Sequence, residues 1–380
     1  MSLAPAIEVQ SFEQAEPAAR GEAHGELWRS EIAELAEIRT ELALQKGKFT
    51  GRAQLLEVAA AHVEEMMRVE PEIGAELLGI ARGASLSPEQ IVVLNHYTDL
   101  RDVDPARLGL GGGAEPAPDD GDPGGCTALY VDGPEGPVLA QTWDMHGTAA
   151  PFVRLIRIAP AGSDEEVVCF TLTGCVGMTG LNAHGVGVTI NNLTSTDAKL
   201  GLVWPVLVRR LLRARTAVAA RDDLLATELS SGHHYMIADA NEFFGVETSG
   251  EMKVVTQEGG KTAHVHTNHC FDPVLRKREN VSPISTTFRR MELATTAYAQ
   301  YRPHDIDAVW TFLSSHTGYP KSICSHVDDE AGDPSASRTC GLMAMGLVGG
   351  RVWACRGCAH ENERRELSLE RWRGATEPTR

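Results

Sequence analysis

The first quarter of the chain has a helical hydrophobic pattern. From about residue 25 to residue 102, apolar side chains recur mostly at three- to four-residue spacing, which is typical of amphipathic helices. One such run consists of Ile32, Leu35, Ile38 and Leu42. Ser87 and Gln90 have the spacing of a capping box around Pro88, so a further helix is expected to start there. We therefore predict that residues 1–102 form a mostly helical N-terminal segment.

After residue 125 the pattern changes to short β-like runs separated by turns. The predicted strands are 126–131, 138–143, 152–158, 167–172, 186–190, 235–238, 243–247, 264–267, 342–348 and 352–355. Helical runs interrupt them at about 203–229, 286–301 and 305–315. Hairpin turns between several strands favour two antiparallel sheets flanked by helices over a βαβ alternation. The predicted fold class is α+β.

Residues 103–125 join the two parts. Three glycines at 111–113 and a Pro-, Asp- and Gly-rich run over 116–125 have no face to bury and no regular ladder to hold. This stretch is predicted to be an exposed, mobile linker, which divides the chain into segments 1–102, 103–125 and 126–380.

Charge and composition exclude some functions. The net charge of -17 over 380 residues argues against nucleic acid and anionic membranes as partners, because both require an excess of Lys and Arg. The charge is uneven: residues 1–125 contain 10 Lys or Arg and 23 Asp or Glu, a net charge of -13. The start of the sequence lacks a signal-peptide pattern, no stretch approaches a membrane span, and eight cysteines are scattered without a dense framework. A cytoplasmic protein with reduced thiols is expected.

Cys126 stands where the linker meets the first predicted strand. Its sulfur can attack the carbonyl of the preceding Gly125. The two glycines before Cys126 add no side chain that would block this attack. Hydrolysis of the resulting thioester would leave an α-amino group on Cys126, whose pKa of about 7.7–8 suits a general base for the thiol. The alternative is that Cys126 only packs at the start of a strand.

Asp144 is the first residue that supports the catalytic alternative. A hairpin centred between Pro134 and Glu135 pairs residues whose numbers sum to 269. That register places Cys126 opposite Trp143 and next to Asp144. A carboxylate there could orient the new amine and tune its proton affinity, although an Asp at a strand end is also a common turn acceptor.

Five further motifs stand in order along the chain: Ile91–Asn95, Gly125–Tyr130, Gln141–Asp144, His266–Cys270, and Tyr319–Cys324 followed by Ser337-Arg338. Together they resemble the motifs of the acyl-coenzyme A:6-aminopenicillanic acid acyltransferase (isopenicillin-N acyltransferase) family of self-processing cysteine peptidases. The resemblance covers most of the chain from about residue 20.

The resemblance implies a four-layer αββα N-terminal-nucleophile hydrolase fold, cleavage between Gly125 and Cys126, and an α/β heterodimer made from one precursor. It implies that Cys126 is the nucleophile, Asp144 the carboxylate that orients the amine, and Asn268 an oxyanion-hole donor. It further implies Asn191 as a second donor, and Arg338 as a partner for Asp144 or for the substrate.

Three positions depart from the family pattern. Gly124 replaces an Asp that commonly precedes the Gly-Cys pair, Thr142 replaces an Asn before Trp-Asp, and Ser325 stands where a basic residue is frequent. These departures leave the nucleophile in place and bear on the substrate.

Two patterns raise the question of a metal. His264, His266 and His269 include an i, i+2 pair that would share one face of a strand. Cys355 and Cys358 form a lone C-x-x-C, which fits half a zinc site but, without a second pair, fits a strand end and turn better. No metal or cofactor is predicted, and His233-His234 is interpreted as a loop-to-strand junction.

Three functions remain open. The first is a self-cleaving amide hydrolase that acts on N-acyl amines, acyl amino acids or small peptides through a thioester. The second is a penicillin acyltransferase-like enzyme that moves an acyl group between coenzyme A and an amine. The third is a non-catalytic or metal-binding protein that keeps the fold.

Overall fold

The computed structural model describes residues 3–114, 125–259, 263–333 and 336–376. Within them, five helices follow one short strand in the N-terminal segment. The strand is β1 (Val9–Phe12), and the helices are α1 (Pro17–Leu27), α2 (Arg29–Lys46), α3 (Arg52–Val69), α4 (Pro71–Ala84) and α5 (Pro88–Asp102). The expected capping box is present at α5, where the Ser87 hydroxyl accepts from the Gln90 N–H and the Gln90 side chain accepts from the Ser87 N–H.

The remaining strands form two sheets. The larger has the order β1-β4-β5-β6-β7-β8-β9-β10 and the smaller the order β11-β2-β3-β12-β13-β14. The strands are β2 (Ala128–Gly133), β3 (Gly136–His146), β4 (Val153–Ile158), β5 (Val167–Leu172), β6 (Thr179–Asn182), β7 (Gly187–Leu193), β8 (Gly232–Ala238), β9 (Phe243–Thr248), β10 (Lys253–Glu258), β11 (His264–His266), β12 (Ser337–Gly346), β13 (Arg351–Arg356) and β14 (Arg365–Ser368). All described pairings are antiparallel except that of β1 with β4.

Five later helices complete the layers. They are α6 (Trp204–Leu211), α7 (Ala217–Ala226), α8 (Thr287–Tyr301), α9 (Ile306–Leu313) and α10 (Val327–Ala331). One face of the smaller sheet packs on α8 and α9 in a hydrophobic cluster that includes Leu129 and Val309. Its other face meets the larger sheet, where Trp143 lies edge-on to Phe170 at 6.2 Å. The N-terminal helices, α6 and α7 share a second cluster with the larger sheet. This is the αββα arrangement implied by the resemblance.

The predicted strands are all present, and the sequence pattern missed four others. β1, β6 and β14 have only four residues each, and β1, β10 and β14 lie at a sheet edge, where fewer alternating apolar residues mark a strand. His233 and His234, expected at a junction, are buried inside β8. No helix in the described ranges combines the length and the apolar character needed to cross a bilayer.

The described part of the predicted linker consists of residues 103–114 and Gly125. Residues 115–124 lie outside the described residues. The preceding part is attached to the helical segment, because the Gln54 side chain donates to the Leu110 carbonyl at 3.0 Å and the Ala114 N–H donates to the Lys48 carbonyl at 2.9 Å.

Helices α1 and α4 cross at direct backbone contact. A Cβ on Gly21 would overlap the Glu76 carbonyl, and one on Gly79 would overlap the Ala18 carbonyl. Gly25 and Gly83 extend the same contact by one turn. The glycines let Arg20 of α1 reach the buried Glu76 of α4, with Nε to Oε2 at 2.9 Å.

We predict that Gly21→Ala destabilises the protein. Alanine is the better helix former by about 1 kcal/mol, so an uncrowded site would gain stability, but separating the two helices should cost about 1–3 kcal/mol net. Chemical denaturation measures the difference. Gly112→Ala is the control, since no described atom lies within 4 Å of a Cβ there. Equal stability of the Gly21→Ala and wild-type chains would contradict the prediction.

Candidate active site

The hairpin of β2 and β3 has the register predicted from its turn. Ala128 pairs with Gln141 and Gly133 with Gly136, and the pattern continues past the end of β2. Gly125 and Asp144 exchange two backbone hydrogen bonds: the Asp144 N–H donates to the Gly125 carbonyl at 2.8 Å, and the Gly125 N–H donates to the Asp144 carbonyl at 3.2 Å. The bond between Gly125 and Cys126 is therefore held in extended, paired backbone.

Three side chains bind the backbone of Cys126. Its N–H donates to Asn268 Oδ1 at 2.7 Å. Its carbonyl accepts from Asn191 Nδ2 at 2.9 Å and from Arg290 Nη1 at 2.7 Å. The predicted residues Asn191 and Asn268 thus converge on Cys126 from β7 and from the segment after β11. Cys126 itself is 4% exposed.

A glutamine holds the two sheets in register beside this site. Gln141 of β3 accepts through Oε1 from the Thr179 hydroxyl and from the Ile190 N–H of β7, both at 2.8 Å. Asn191 follows Ile190 directly, and its Oδ1 is 3.1 Å from His234 Nδ1. The amide orientation of Asn191 is therefore fixed at both ends, with its NH₂ directed to the Cys126 carbonyl.

Arg290 lies at the centre of the site and is not among the site residues predicted from the sequence. The guanidinium is fully buried in α8, and besides its bond to Cys126 it donates through Nη2 to Asn268 Oδ1 at 2.8 Å. Nη1 also lies 3.2 Å from the Thr127 hydroxyl, and Nε donates to Thr286 Oγ1 at 3.0 Å. Burial lowers its pKa, against the opposing effects of Asp144 and Cys126, and a guanidinium stays charged at neutral pH.

Asp144 is the carboxylate nearest to that cation. Its Oδ1 accepts from the Thr339 hydroxyl at 2.7 Å, and its Oδ2 lies 3.9 Å from Arg290 Nε without a hydrogen-bond partner among the described residues. Burial raises the pKa of Asp144 to about 6, while Arg290 and the Thr339 hydroxyl act in the opposite direction. A buried carboxylate with one unpartnered oxygen is suited to receive a new ammonium donor.

The register also assigns the two faces of the hairpin. Opposite residues of an antiparallel pair project to the same face. Asp144 therefore projects on the face that a Gly125 side chain would take, and a Cβ there would point at Arg290 and Asn268. Cys126 projects with Trp143 toward the larger sheet. The carboxylate is thus placed for the backbone nitrogen of Cys126 rather than directly for its sulfur.

Arg338 is the predicted site residue that the structure does not bring to Asp144. Its guanidinium pairs with Asp328 at 3.3 Å and with Glu361 at 3.8 Å. It lines a cavity of about 440 Å³ together with Arg356. The partner of Asp144 is Arg290, because β12 presents Thr339, not Arg338, to the carboxylate.

The histidines near Asn268 have protein partners. His266 Nε2 lies 2.9 Å from Glu247 Oε1, His264 Nε2 lies 3.1 Å from the Gly259 carbonyl, and His269 Nδ1 lies 3.0 Å from the Thr287 hydroxyl. These contacts fix the strand and turn that carry Asn268. The three rings do not converge on one point.

The C-x-x-C pair is split by the end of β13. Cys355 packs in the apolar cluster under α9, and Gly357 turns the chain with φ of +70°. Cys358 lies instead with His316, Cys324 and His326, whose donor atoms are all within 4.8 Å of one another. Neither this cluster nor Arg290 was predicted from the sequence. The signal for Arg290 was a basic residue on the apolar stripe of α8, one turn before the buried Ala294.

We predict that Asp144 makes folding less favourable as the pH rises from about 4 to 6. Its folded pKa of about 6 lies above the ordinary value of 3.8, so the folded chain holds the proton more tightly than the unfolded chain. That stabilisation is complete below about pH 4 and is lost through pH 6, by up to about 3 kcal/mol.

The measurement compares the free energy of unfolding of a Cys126→Ala chain with that of Cys126→Ala/Asp144→Asn between pH 4 and 7. The first chain should lose stability relative to the second over this range. Parallel pH profiles would show that Asp144 titrates at its ordinary value.

Comparisons with known proteins agree with the motifs. The model of the acyl-coenzyme A:6-aminopenicillanic acid acyl-transferase family matches residues 131–334, a range that includes Asp144, Asn191 and Asn268 and begins just after Cys126. An acyl-coenzyme A:6-aminopenicillanic-acid-acyltransferase 40 kDa form from Emericella nidulans is 26% identical over 318 residues, covering 82% of this chain and 83% of that protein.

Two solved structures align more distantly. Penicillin V acylase from Agrobacterium tumefaciens is 12% identical with a TM-score of 0.38, over 66% of this chain and 95% of that chain. A variant of conjugated bile acid hydrolase from Clostridium perfringens is 12% identical with a TM-score of 0.40, over 65% of this chain and 98% of that chain. Because the family model spans more than half of the sequence, the protein belongs to the acyl-coenzyme A:6-aminopenicillanic acid acyl-transferase family and is an enzyme of the broad class that carries out acyl transfer or amide hydrolysis.

Proposed function

We propose that the chain cleaves itself between Gly125 and Cys126 and then acts as an N-terminal-cysteine amide hydrolase on N-acyl amines, acyl amino acids or small peptides. The observation that carries this proposal is the clamping of one peptide bond on both sides. The Gly125 carbonyl accepts from the Asp144 N–H, and the Cys126 nitrogen donates to Asn268 Oδ1. The paired fragments would form an α/β heterodimer.

Self-cleavage begins with attack of the Cys126 sulfur on the Gly125 carbonyl carbon. The carbonyl oxygen takes up negative charge, which the Asp144 N–H is already placed to stabilise at 2.8 Å. The C–N bond then breaks, and the Cys126 nitrogen leaves with the proton that the thiol gave up. Water hydrolyses the Gly125 thioester, which yields a Gly125 carboxylic acid and a Cys126 with free thiol and amine.

Catalysis then uses the amine and the thiol of the same residue. The amine takes the thiol proton, the thiolate attacks the acyl carbonyl of the substrate, and the leaving amine takes the proton back. Water finally releases the acyl group from the sulfur. Asn268 Oδ1 would hold the new amine as it holds the Cys126 N–H now, and Asp144 Oδ2 offers it a second acceptor.

Arg290 favours the basic form of that amine. Its guanidinium shares Asn268 Oδ1 with the Cys126 nitrogen, so a positive charge lies one hydrogen-bonded atom from the amine. A neighbouring cation lowers the pKa of an ammonium group. The same cation stabilises a thiolate. Asp144 balances part of this charge, which keeps the amine protonatable during the cycle.

An acyltransferase is the second candidate. The relative from Emericella nidulans bears the name of an acyl-coenzyme A-dependent acyltransferase. The same thioester serves both reactions, because hydrolysis and transfer differ only in whether water or an amine accepts the acyl group. Arg338 is proposed as a substrate contact through the cavity that it shares with Arg356. The cytoplasmic location stays a prediction.

Purified protein is expected to run as two fragments, the larger beginning at Cys126. Cys126→Ala should fold, stay uncut and lack turnover, because both the nucleophile and the new amine depend on that residue. Intact-mass analysis and N-terminal sequencing measure the outcome. A wild-type mass that stays at 41.0 kDa after prolonged incubation, or cleavage that persists in Cys126→Ala, would contradict the proposal.

Asn268→Ala should slow acyl transfer by roughly a hundredfold or more, since it removes the acceptor that holds the amine and the amide proposed as an oxyanion-hole donor. Turnover of N-acyl amino acids, with and without coenzyme A and an added amine, measures the effect and separates hydrolysis from transfer. Asn280→Ala, at an exposed position, is the matched control. Unchanged turnover in Asn268→Ala would rule out its role.

A further inference from the structure

A second cluster of reactive side chains lies outside the catalytic site. His316 lies in the turn after α9, Cys324 and His326 lie in the loop before α10, and Cys358 lies in the turn after β13. Both cysteines and His326 are buried, and His316 is partly buried. Three separate segments of the chain therefore each place thiol or imidazole groups at the same point of the interior.

Three distances between the donor atoms are close to those in a tetrahedral zinc shell. Bond lengths of about 2.1 Å for nitrogen and about 2.3 Å for sulfur give separations of about 3.4 Å between nitrogens and about 3.6 Å between nitrogen and sulfur. The two Nε2 atoms of His316 and His326 are 3.2 Å apart. His316 Nε2 is 3.3 Å from Cys358 Sγ, and His326 Nε2 is 3.7 Å from Cys324 Sγ. All four atoms lie within 4.8 Å of one another.

Neighbouring polar groups orient the four side chains, as the hydrogen-bond partners of metal ligands do in metal sites. Asp329 Oδ2 lies 3.4 Å from His326 Nδ1 and is itself bound by the Tyr319 hydroxyl at 2.7 Å. A carboxylate at Nδ1 keeps the proton there and leaves the Nε2 lone pair directed inward. The His360 N–H donates to Cys358 Sγ at 3.4 Å, a contact that favours a thiolate.

Two neighbours are excluded by their own contacts. His360 Nε2 lies 3.0 Å from the Ser314 carbonyl, although its ring is 4.6 Å from that of His316. The Cys355 thiol lies 3.6 Å from the Gly357 carbonyl within the apolar cluster. Both serve as matched controls.

We propose that His316, Cys324, His326 and Cys358 bind one zinc ion in a closed, structural Cys₂His₂ site. Two thiolates and two imidazoles fill four tetrahedral positions, so no position remains for water or substrate, and the ion would be structural rather than catalytic. It would join the α9 turn and the loop before α10 to the end of β13. This inference does not depend on the proposed amidase function.

The zinc site would also support the Asp144 carboxylate through a short chain of hydrogen bonds. Ser325, between two of the ligands, donates its N–H to the Thr339 hydroxyl and accepts from the Thr339 N–H, both at 2.8 Å. The same Thr339 hydroxyl donates to Asp144 Oδ1 at 2.7 Å. Loss of the ion should therefore loosen the loop that positions Asp144.

The test measures metal content of the full-length protein, produced in zinc-supplemented medium and freed of any histidine tag. Elemental analysis should find one zinc per chain. Cys324→Ser and Cys358→Ser should hold at least about tenfold less zinc. Removing a zinc ligand itself should lower the affinity more than the roughly 10- to 100-fold loss that follows from changing a group that only orients a ligand. His360→Ala and Cys355→Ala should keep one zinc per chain.

A second measurement needs no variant, and therefore tests the proposal even if the ligand variants fail to fold. Wild-type protein stripped with a chelator is titrated with Co²⁺, and the visible and thiolate charge-transfer bands of tetrahedral Co²⁺ should saturate at one ion per chain. Zinc should then displace them and raise the thermal unfolding temperature. The proposal would be overturned if the wild-type chain held less than about a tenth of a zinc ion and gave no cobalt spectrum. Full zinc retention in Cys324→Ser would also overturn it. So would a Cys324–Cys358 disulfide in the protein as isolated, in place of a metal.

Discussion

The buried guanidinium of Arg290 is the constraint on which the candidate active site depends. A cation in the interior costs several kcal/mol unless charge and hydrogen bonds compensate it. Here its donors are used on the Cys126 carbonyl, on Asn268 Oδ1 and on Thr286. The compensating charge is Asp144, with Oδ2 at 3.9 Å. The backbone of Cys126 is therefore fixed by the same group that sets the local electrostatic potential.

The two sheets bring the other participants to that cation. The β2–β3 hairpin carries the Gly125–Cys126 bond and Asp144 on one ladder, so their alignment follows from the hairpin register. Asn191 comes from the opposite sheet, and Gln141 ties its strand to β3. A site divided between two sheets requires the correct distance and the correct register between them. The Gln141 side chain fixes both, because it accepts two hydrogen bonds from the opposite sheet.

The parts of this arrangement that depend on local pattern could be predicted from the sequence. The turn at Pro134 predicts the hairpin register that is observed. The family resemblance pointed to Asn191 and Asn268, and both side chains bind the backbone of Cys126. Arg290 could not be identified in the same way, because a basic residue on a helix is usually solvated, and only packing shows that Arg290 is buried while its neighbour Arg289 is half exposed. The cluster proposed to bind zinc could not be predicted from the sequence either. Its ligands lie on three segments, and the visible C-x-x-C was misleading because strand direction sends Cys355 into the core.

The departures from the family pattern acquire a physical meaning beside Asp144. The Thr142 hydroxyl, where an Asn is common, accepts from the Thr127 N–H at 3.0 Å and keeps the hairpin paired at the site. Ser325, where a basic residue is frequent, is buried next to Thr339. A cation at that position would stabilise the Asp144 carboxylate and lower its pKa. With serine there, burial outweighs Arg290 and the Thr339 hydroxyl, and the pKa of Asp144 rises to about 6. The proton affinity of Asp144 is consequently set by its burial and by Arg290, and in the proposed mechanism the same arginine would also set that of the Cys126 amine, through Asn268 Oδ1.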